Sequence, residues 1–113
     1  MPSMIRRVKG ELYVEGISLA NIAKEFSTPC YVYSKKAIEE NYLSYVEALE
    51  SQSHLVCYAV KSNSNINLVR EIKKFGLGAD VVSAGELMLA IKAGVNPKKI
   101  VFSGVGKTSE EIS

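Results

Sequence analysis

Three residues have types and positions that could do chemistry. Lys61 closes the apolar run His54-Leu55-Val56-Cys57-Tyr58-Ala59-Val60, so a primary amine stands at the tip of a buried strand. An amine partly withdrawn from water loses its proton more easily, because desolvation disfavours the ammonium form. The neutral amine can then attack a carbonyl and form a Schiff base. A solvated strand end would present the same pattern. Asp80 interrupts a second apolar stretch, Gly78-Ala79-Asp80-Val81-Val82. A buried carboxylate needs a partner, here a lysine or a cofactor, unless the residue lies at an exposed edge. Glu86 follows Ser83 in an S-x-x-E pattern, which already explains it as half of a helix capping box; a carboxylate there also faces the end of the preceding strand.

Other candidates fall away. Gly104-Val105-Gly106-Lys107-Thr108 looks like the end of a phosphate loop, but the full pattern needs glycine at position 101, where the chain has Val101. Its glycines are read as a tight turn. One histidine and two separated cysteines, Cys30 and Cys57, give no metal-ligand cluster, so no metal site is expected. Both cysteines lie in strand-like runs and read as reduced, buried thiols. His54 reads as a surface residue, and Tyr42 and Tyr45 have helix-packing spacing rather than that of a base-stacking platform.

These side chains must be positioned by alternating elements. Leu12-Tyr13-Val14-Glu15-Gly16 reads as a strand and turn. Ser18 caps a helix with Leu19, Ile22, Ala23 and Phe26 on its apolar face, ended by Thr28-Pro29. Cys30-Tyr31-Val32-Tyr33 reads as a strand, and Ser34 caps a helix with Ile38, Tyr42, Tyr45, Val46 and Leu49 on one face. After the strand before Lys61, Ser64 or Asn65 starts a helix carrying Leu68, Val69, Ile72 and Phe75 inward and stopping at Gly76. A strand over 78–82, a helix with Leu87, Ala90 and Ile91 inward that stops at Gly94, an Asn96-Pro97 turn and a strand over 100–102 complete the series. The continuous apolar strands imply a parallel sheet buried on both faces. Strand–helix repetition fits an open sheet or a closed barrel.

At 113 residues the chain is at most one small domain. Apolar residues at 47% and charged residues at 23% suit a soluble globular protein. A dispersed net charge of +2 leaves no basic stripe for nucleic acid. No stretch approaches the roughly 18 apolar residues of a membrane span. The start, Met1 to Arg7, lacks the apolar core of a secretory signal. Thr108-Ser109-Glu110-Glu111 announces one more helix just before Ser113. The chain is therefore expected to be the front of a longer protein, about four of eight barrel units. Uncovered strand edges in such a piece invite self-association.

"TPCYVYS", "YAVKSNSN", "GLGADVVSAGEL" and "KIVFSGVGKT", in that order, resemble the N-terminal part of the diaminopimelate decarboxylases. These are fold-type III, alanine-racemase-like lyases that use pyridoxal 5'-phosphate. The resemblance runs from about Leu12 to the end. It implies an α/β fold: residues 29–113 as the first half of a pyridoxal-phosphate-binding (β/α)8 barrel, with Cys30–Tyr33 as its first strand. Residues 1–28 would associate with a second, β-rich domain. It implies Lys61 as the Schiff-base lysine and Asp80 and Glu86 as acids lining the cofactor. It further implies decarboxylation of meso-2,6-diaminopimelate to L-lysine in cytoplasmic lysine biosynthesis, by a homodimer with no nucleic-acid or membrane partner. The family's cofactor-stacking histidine, glycine-rich phosphate loop, ring-nitrogen acid, substrate arginine and late cysteine have no counterparts here, so the isolated chain is expected to be inactive. Related decarboxylases of ornithine, arginine or carboxynorspermidine share the lysine motif. So do non-catalytic pyridoxal-phosphate proteins, although "GADVVSAGEL" fits the decarboxylases better.

Overall fold

The structure is a computed structural model that describes residues 4–113. The parts of the signal-peptide and 1–28 readings that fall on residues 1–3 lie outside the described residues. The chain divides into two compact units between Asn41 and Tyr42.

In the first unit, two residue pairs reverse the chain. Lys9-Gly10 (φ 50° and 85°) joins β1 (Ile5–Val8) to β2 (Glu11–Val14), and Glu15-Gly16 (φ 52° and 91°) joins β2 to β3 (Ile17–Ser18). Two consecutive positive φ values give the two-residue turn that matches the twist of paired strands. The strands are antiparallel, with Ile5 opposite Val14, Arg6 opposite Tyr13, and Tyr13 opposite Ser18. Only β2 is legible from hydrophobic pattern. The arginines of Ile5-Arg6-Arg7-Val8 mask β1, and the two X-Gly pairs are its available signal. Buried Ser18 caps α1 (Leu19–Phe26), accepting from the Asn21 N–H at 3.4 Å. Leu19, Ile22 and Ala23 are half-buried, but Phe26 is 68% exposed, against expectation. Phe26 is the last helical residue. The helix stops at Ser27 (φ 67°), one residue before the cis Thr28–Pro29 bond begins.

Cys30–Tyr33, expected as a strand, joins no ladder with any described strand. An extended segment becomes a strand only where another backbone takes up its N–H and C=O groups. Helix α2 (Lys35–Leu49) starts where Ser34 Oγ accepts from the Ala37 N–H at 3.0 Å. Ile38, Tyr42, Val46 and Leu49 are half-buried as expected, and Tyr45 is exposed.

The second unit holds a parallel sheet of β4 (Cys57–Ala59), β5 (Gly78–Val81) and β6 (Ile100–Phe102), in the order β4-β5-β6. Helix α3 (Ile66–Lys74) connects the first pair and α4 (Ala84–Ala93) the second. Parallel neighbours need such crossovers. Asn65 caps α3, which closes at Phe75 and Gly76 (φ 96°); Ser83 caps α4, which closes at Gly94 (φ 95°). Asn96 caps the 3-10 turn Pro97–Lys99, and Thr108 with Glu111 forms a complete capping box on α5 (Ser109–Ile112).

Side chains alternate across a strand. On one face of the sheet Tyr58, Ala79, Val81, Ile100 and Phe102 pack in a cluster with Val60, Val69, Ala90, Ala93 and Val95. Each fully buried valine contributes about 1.5–3 kcal/mol. The opposite face carries Cys57, Ala59, Gly78, Asp80 and Val101; Val101 stays exposed and Cys57, Ala59 and Asp80 are half-buried. The expectation of burial on both faces is thus met on one. The helices that follow these strands cover the same side. Ile91, expected inward, is exposed beside Met88, because the packed face of α4 runs through Leu87, Ala90 and Ala93.

Gly78 is a fixed point of this sheet. A Cβ there would stand 2.1 Å from the Lys99 carbonyl oxygen and 3.0 Å from Cys57 Sγ. The oxygen belongs to backbone and cannot swing away. Gly78→Ala is expected to lower stability by about 1–3 kcal/mol, the cost of overpacking. Urea unfolding checks this, and an unchanged midpoint would contradict the close approach.

Candidate functional site

The strand before the candidate lysine ends at Ala59, and Val60-Lys61-Ser62 forms a 3-10 turn. Val60 is fully buried and pins the turn to the core, while Lys61 points outward. Several polar groups close the turn. The Asn63 N–H donates to the Val60 carbonyl at 3.2 Å, the Tyr58 hydroxyl to the Asn63 carbonyl at 2.8 Å, and Ser62 Oγ to the Ala59 carbonyl at 2.8 Å. Asn63 Oδ1 accepts from the Asn65 N–H at 3.0 Å, leading directly into the cap of α3. Each residue of "YAVKSN" except Lys61 is thereby occupied in local structure. The Lys61 amine makes no hydrogen bond or ion pair among the described residues. It is exposed rather than desolvated, which corrects the expectation that it is drawn out of water.

Asp80 lies in β5 between Ala59 of β4 and Val101 of β6. Within the chain its partner is Ser103 rather than a lysine: Ser103 Oγ donates a short hydrogen bond to Asp80 Oδ1. Ser103 was missed by the sequence reading. Its signal is a hydroxyl two residues past Val101, hence on the same face, immediately after a strand. Glu86 keeps its structural role with a shift of one residue. Ser83 Oγ accepts from the Glu86 N–H at 3.2 Å, while Glu86 Oε1 accepts from the Val82 N–H at 3.1 Å rather than from Ser83. The carboxylate therefore binds the backbone just beyond β5.

Lys61 after β4, Asp80 near the end of β5, Glu86 on Val82 and Ser103 after β6 all stand at the C-terminal edge of one parallel sheet. That is the edge where parallel α/β folds build binding sites. The loop after β6 is tightly seated. A Cβ on Gly104 would meet the Val82 carbonyl oxygen at 2.4 Å. Lys107 donates to the Gly104 carbonyl at 2.8 Å and stands 5.6 Å from the centre of the Phe102 ring. The lysine of the phosphate-loop-like stretch is thus spent on closing its own loop.

Cys57 is half-buried on the face that carries Asp80, with its thiol 3.9 Å from the Lys99 carbonyl. Burial pushes its pKa up, and the charge of Asp80 adds to the rise. Cys30 is exposed, and both thiols are free, so the buried-thiol expectation holds in part for Cys57 only. His54 is exposed and bonds locally, Nδ1 to the Gln52 carbonyl at 2.8 Å. Among the described residues no group of three metal-ligating side chains assembles, and no helix is long and apolar enough to cross a membrane.

The edge thus gathers one exposed amine, Lys61, and two carboxylates, Asp80 and Glu86, each bonded within the fold. The chain belongs to the pyridoxal-dependent decarboxylases: residues 35–113 match the model of that family's pyridoxal binding domain. Several relatives are named diaminopimelate decarboxylase. A diaminopimelate decarboxylase of Pseudomonas fluorescens is 50% identical over 91% of this chain and 25% of its own length. That of Aquifex aeolicus is 50% identical over 92% of this chain and 24% of its own. The crystal structure of the M. jannaschii diaminopimelate decarboxylase in complex with L-lysine superposes with a TM-score of 0.90 at 40% identity, covering 96% of this chain and 26% of that one. The chain thus spans about a quarter of the length of these relatives.

The Cys57 environment yields a titration test. A thiol with its pKa raised in the folded state keeps its proton longer than in the unfolded chain. Its contribution to stability is complete below the ordinary thiol value and is lost as pH rises through the folded value. Alkylation of Cys57 against pH should show a midpoint above that of a free thiol. Asp80→Asn should lower the midpoint part of the way, since burial remains. A midpoint indifferent to Asp80→Asn would show that the carboxylate does not act on the thiol.

Proposed function

We propose that this chain is the cofactor-bearing front part of a decarboxylase that converts meso-2,6-diaminopimelate to L-lysine and carbon dioxide, the last step of lysine biosynthesis. The observation that carries the reading is the Lys61 amine, without a hydrogen bond or ion pair among the described residues, at the sheet's C-terminal edge within the matched domain. The shared name of relatives at about half identity, and the L-lysine in the M. jannaschii complex, support the choice of substrate and product.

The residues present fit the aldehyde side of pyridoxal 5'-phosphate. Lys61 offers a primary amine with no competing ion pair, and would hold the aldehyde carbon. Asp80, oriented by Ser103, and Glu86, fixed on Val82, would line the same side with negative charge. When bound, the cofactor supplies the electron sink that lets a substrate carboxylate leave as carbon dioxide. This chain's part is to anchor, to orient and to set the electrostatics around that centre.

In the same reading residues 29–113 are the first half of a (β/α)8 barrel, in which Cys30–Tyr33 gains strand neighbours. Residues 1–28, with their antiparallel strands, associate with a β-rich domain. The whole enzyme is a cytoplasmic homodimer acting on a small amino acid, with neither nucleic acid nor membrane as partner. The 113 residues alone supply an amine and two carboxylates, and are expected to show no decarboxylation by themselves.

Borohydride reduction of the cofactor-loaded protein that carries this chain, followed by peptide mapping, should place the label on Lys61. Lys61→Ala should lower decarboxylation by about 10²–10⁴-fold or more, the range for loss of a positioned acid–base group. Offered diaminopimelate, ornithine and arginine separately, the enzyme should release lysine from the first and leave the others. Label on another side chain, or turnover of ornithine in preference, would end this reading.

A further inference from the structure

The turn that carries Lys61 holds more hydrogen bonds than its length requires. A 3-10 turn has poor hydrogen-bond geometry and is weak alone. This one has its own closing bond, from the Asn63 N–H to the Val60 carbonyl. Over it lies a second closure made by side chains. The Tyr58 hydroxyl donates to the Asn63 carbonyl at 2.8 Å. The Ser62 hydroxyl, with one proton to give, lies 2.8 Å from the Ala59 carbonyl and 3.2 Å from the Tyr58 oxygen. The Tyr58 ring packs against the buried cluster under α3 and α4, so the phenol is a rigid strut rather than a loose tether. Among the described residues Lys61 has no hydrogen bond or ion pair to hold it, so the turn beneath it is what fixes where its side chain starts.

We propose that Tyr58 is a positioning residue: its hydroxyl, braced by Ser62, locks the Val60–Asn63 turn so that the Lys61 amine is presented to an aldehyde ligand at the sheet edge. This rests on the reading of Lys61 as the cofactor-holding amine. Tyr58 touches neither cofactor nor substrate in this account; it acts through the Asn63 carbonyl. Hydrogen bonds of this kind contribute about 1 kcal/mol each, which corresponds to about fivefold in an equilibrium.

The test uses Tyr58→Phe in the protein that carries this chain. The substitution keeps the packed ring and removes one oxygen. Three quantities are measured: pyridoxal phosphate retained on Lys61 after borohydride reduction, as a function of its concentration; amide exchange at Asn63; and acetylation of Lys61 by a small reagent that needs no orientation. The expected result is about fivefold weaker retention and about fivefold faster Asn63 exchange, with acetylation unchanged. Ser62→Ala should do the same to a smaller degree, and Ser62→Thr, which keeps the hydroxyl, should restore retention. Label on Lys61 in both proteins with retention equal within about twofold overturns the inference while leaving the functional reading intact. Retention and acetylation falling together, as in general unfolding, also overturn it. Label away from Lys61 in the unsubstituted protein overturns the functional reading first.

Discussion

The parallel register of three short strands is the constraint on which the site depends. It sets Ala59, Asp80 and Val101 side by side, and so brings the backbones leaving β4, β5 and β6 to one edge. Parallel pairing needs long crossovers, and α3 and α4 meet that need while sealing one face with a valine- and alanine-rich cluster. The absence of a side chain at Gly78 lets β5 lie against the carbonyl of Lys99. A slip of one residue would turn Asp80 into the apolar cluster and Val81 out of it.

Apart from the Ser103–Asp80 pair, the polar residues that shape this edge act mostly by tying backbone ends. Asn65 and Ser83 satisfy the first amides of their helices, and Glu86 satisfies the amide of Val82. Such caps contribute about 1 kcal/mol apiece. The same bonds hold the Glu86 carboxylate at a strand end, because a strand end and a helix start are here the same few residues.

Much of this was legible in the sequence because it is local. Ser18, Ser34, Asn65, Ser83 and Thr108 cap the helices that their spacing announces, and Gly76 and Gly94 lie where helices stop. The strands at 57, 78 and 100 follow from apolar runs. What was hidden is long-range. No local pattern ties Ser103 to Asp80, 23 positions apart in sequence. Nor does a pattern reveal that Cys30–Tyr33, apolar as it is, finds no ladder among the described strands. The two faces of the sheet likewise differ only once the helices are seen to lie on one side, which left Lys61 more exposed than its apolar neighbours suggested.

The open face has its own relief. Beside Asp80 the neighbouring position on β4 is Ala59, which carries only a methyl group, whereas Gly78 on β5 is closed over by the Lys99 carbonyl. Room next to the carboxylate is therefore governed at position 59 by side-chain volume rather than by charge. A larger apolar residue there would crowd Asp80 while leaving the local electrostatics as they are.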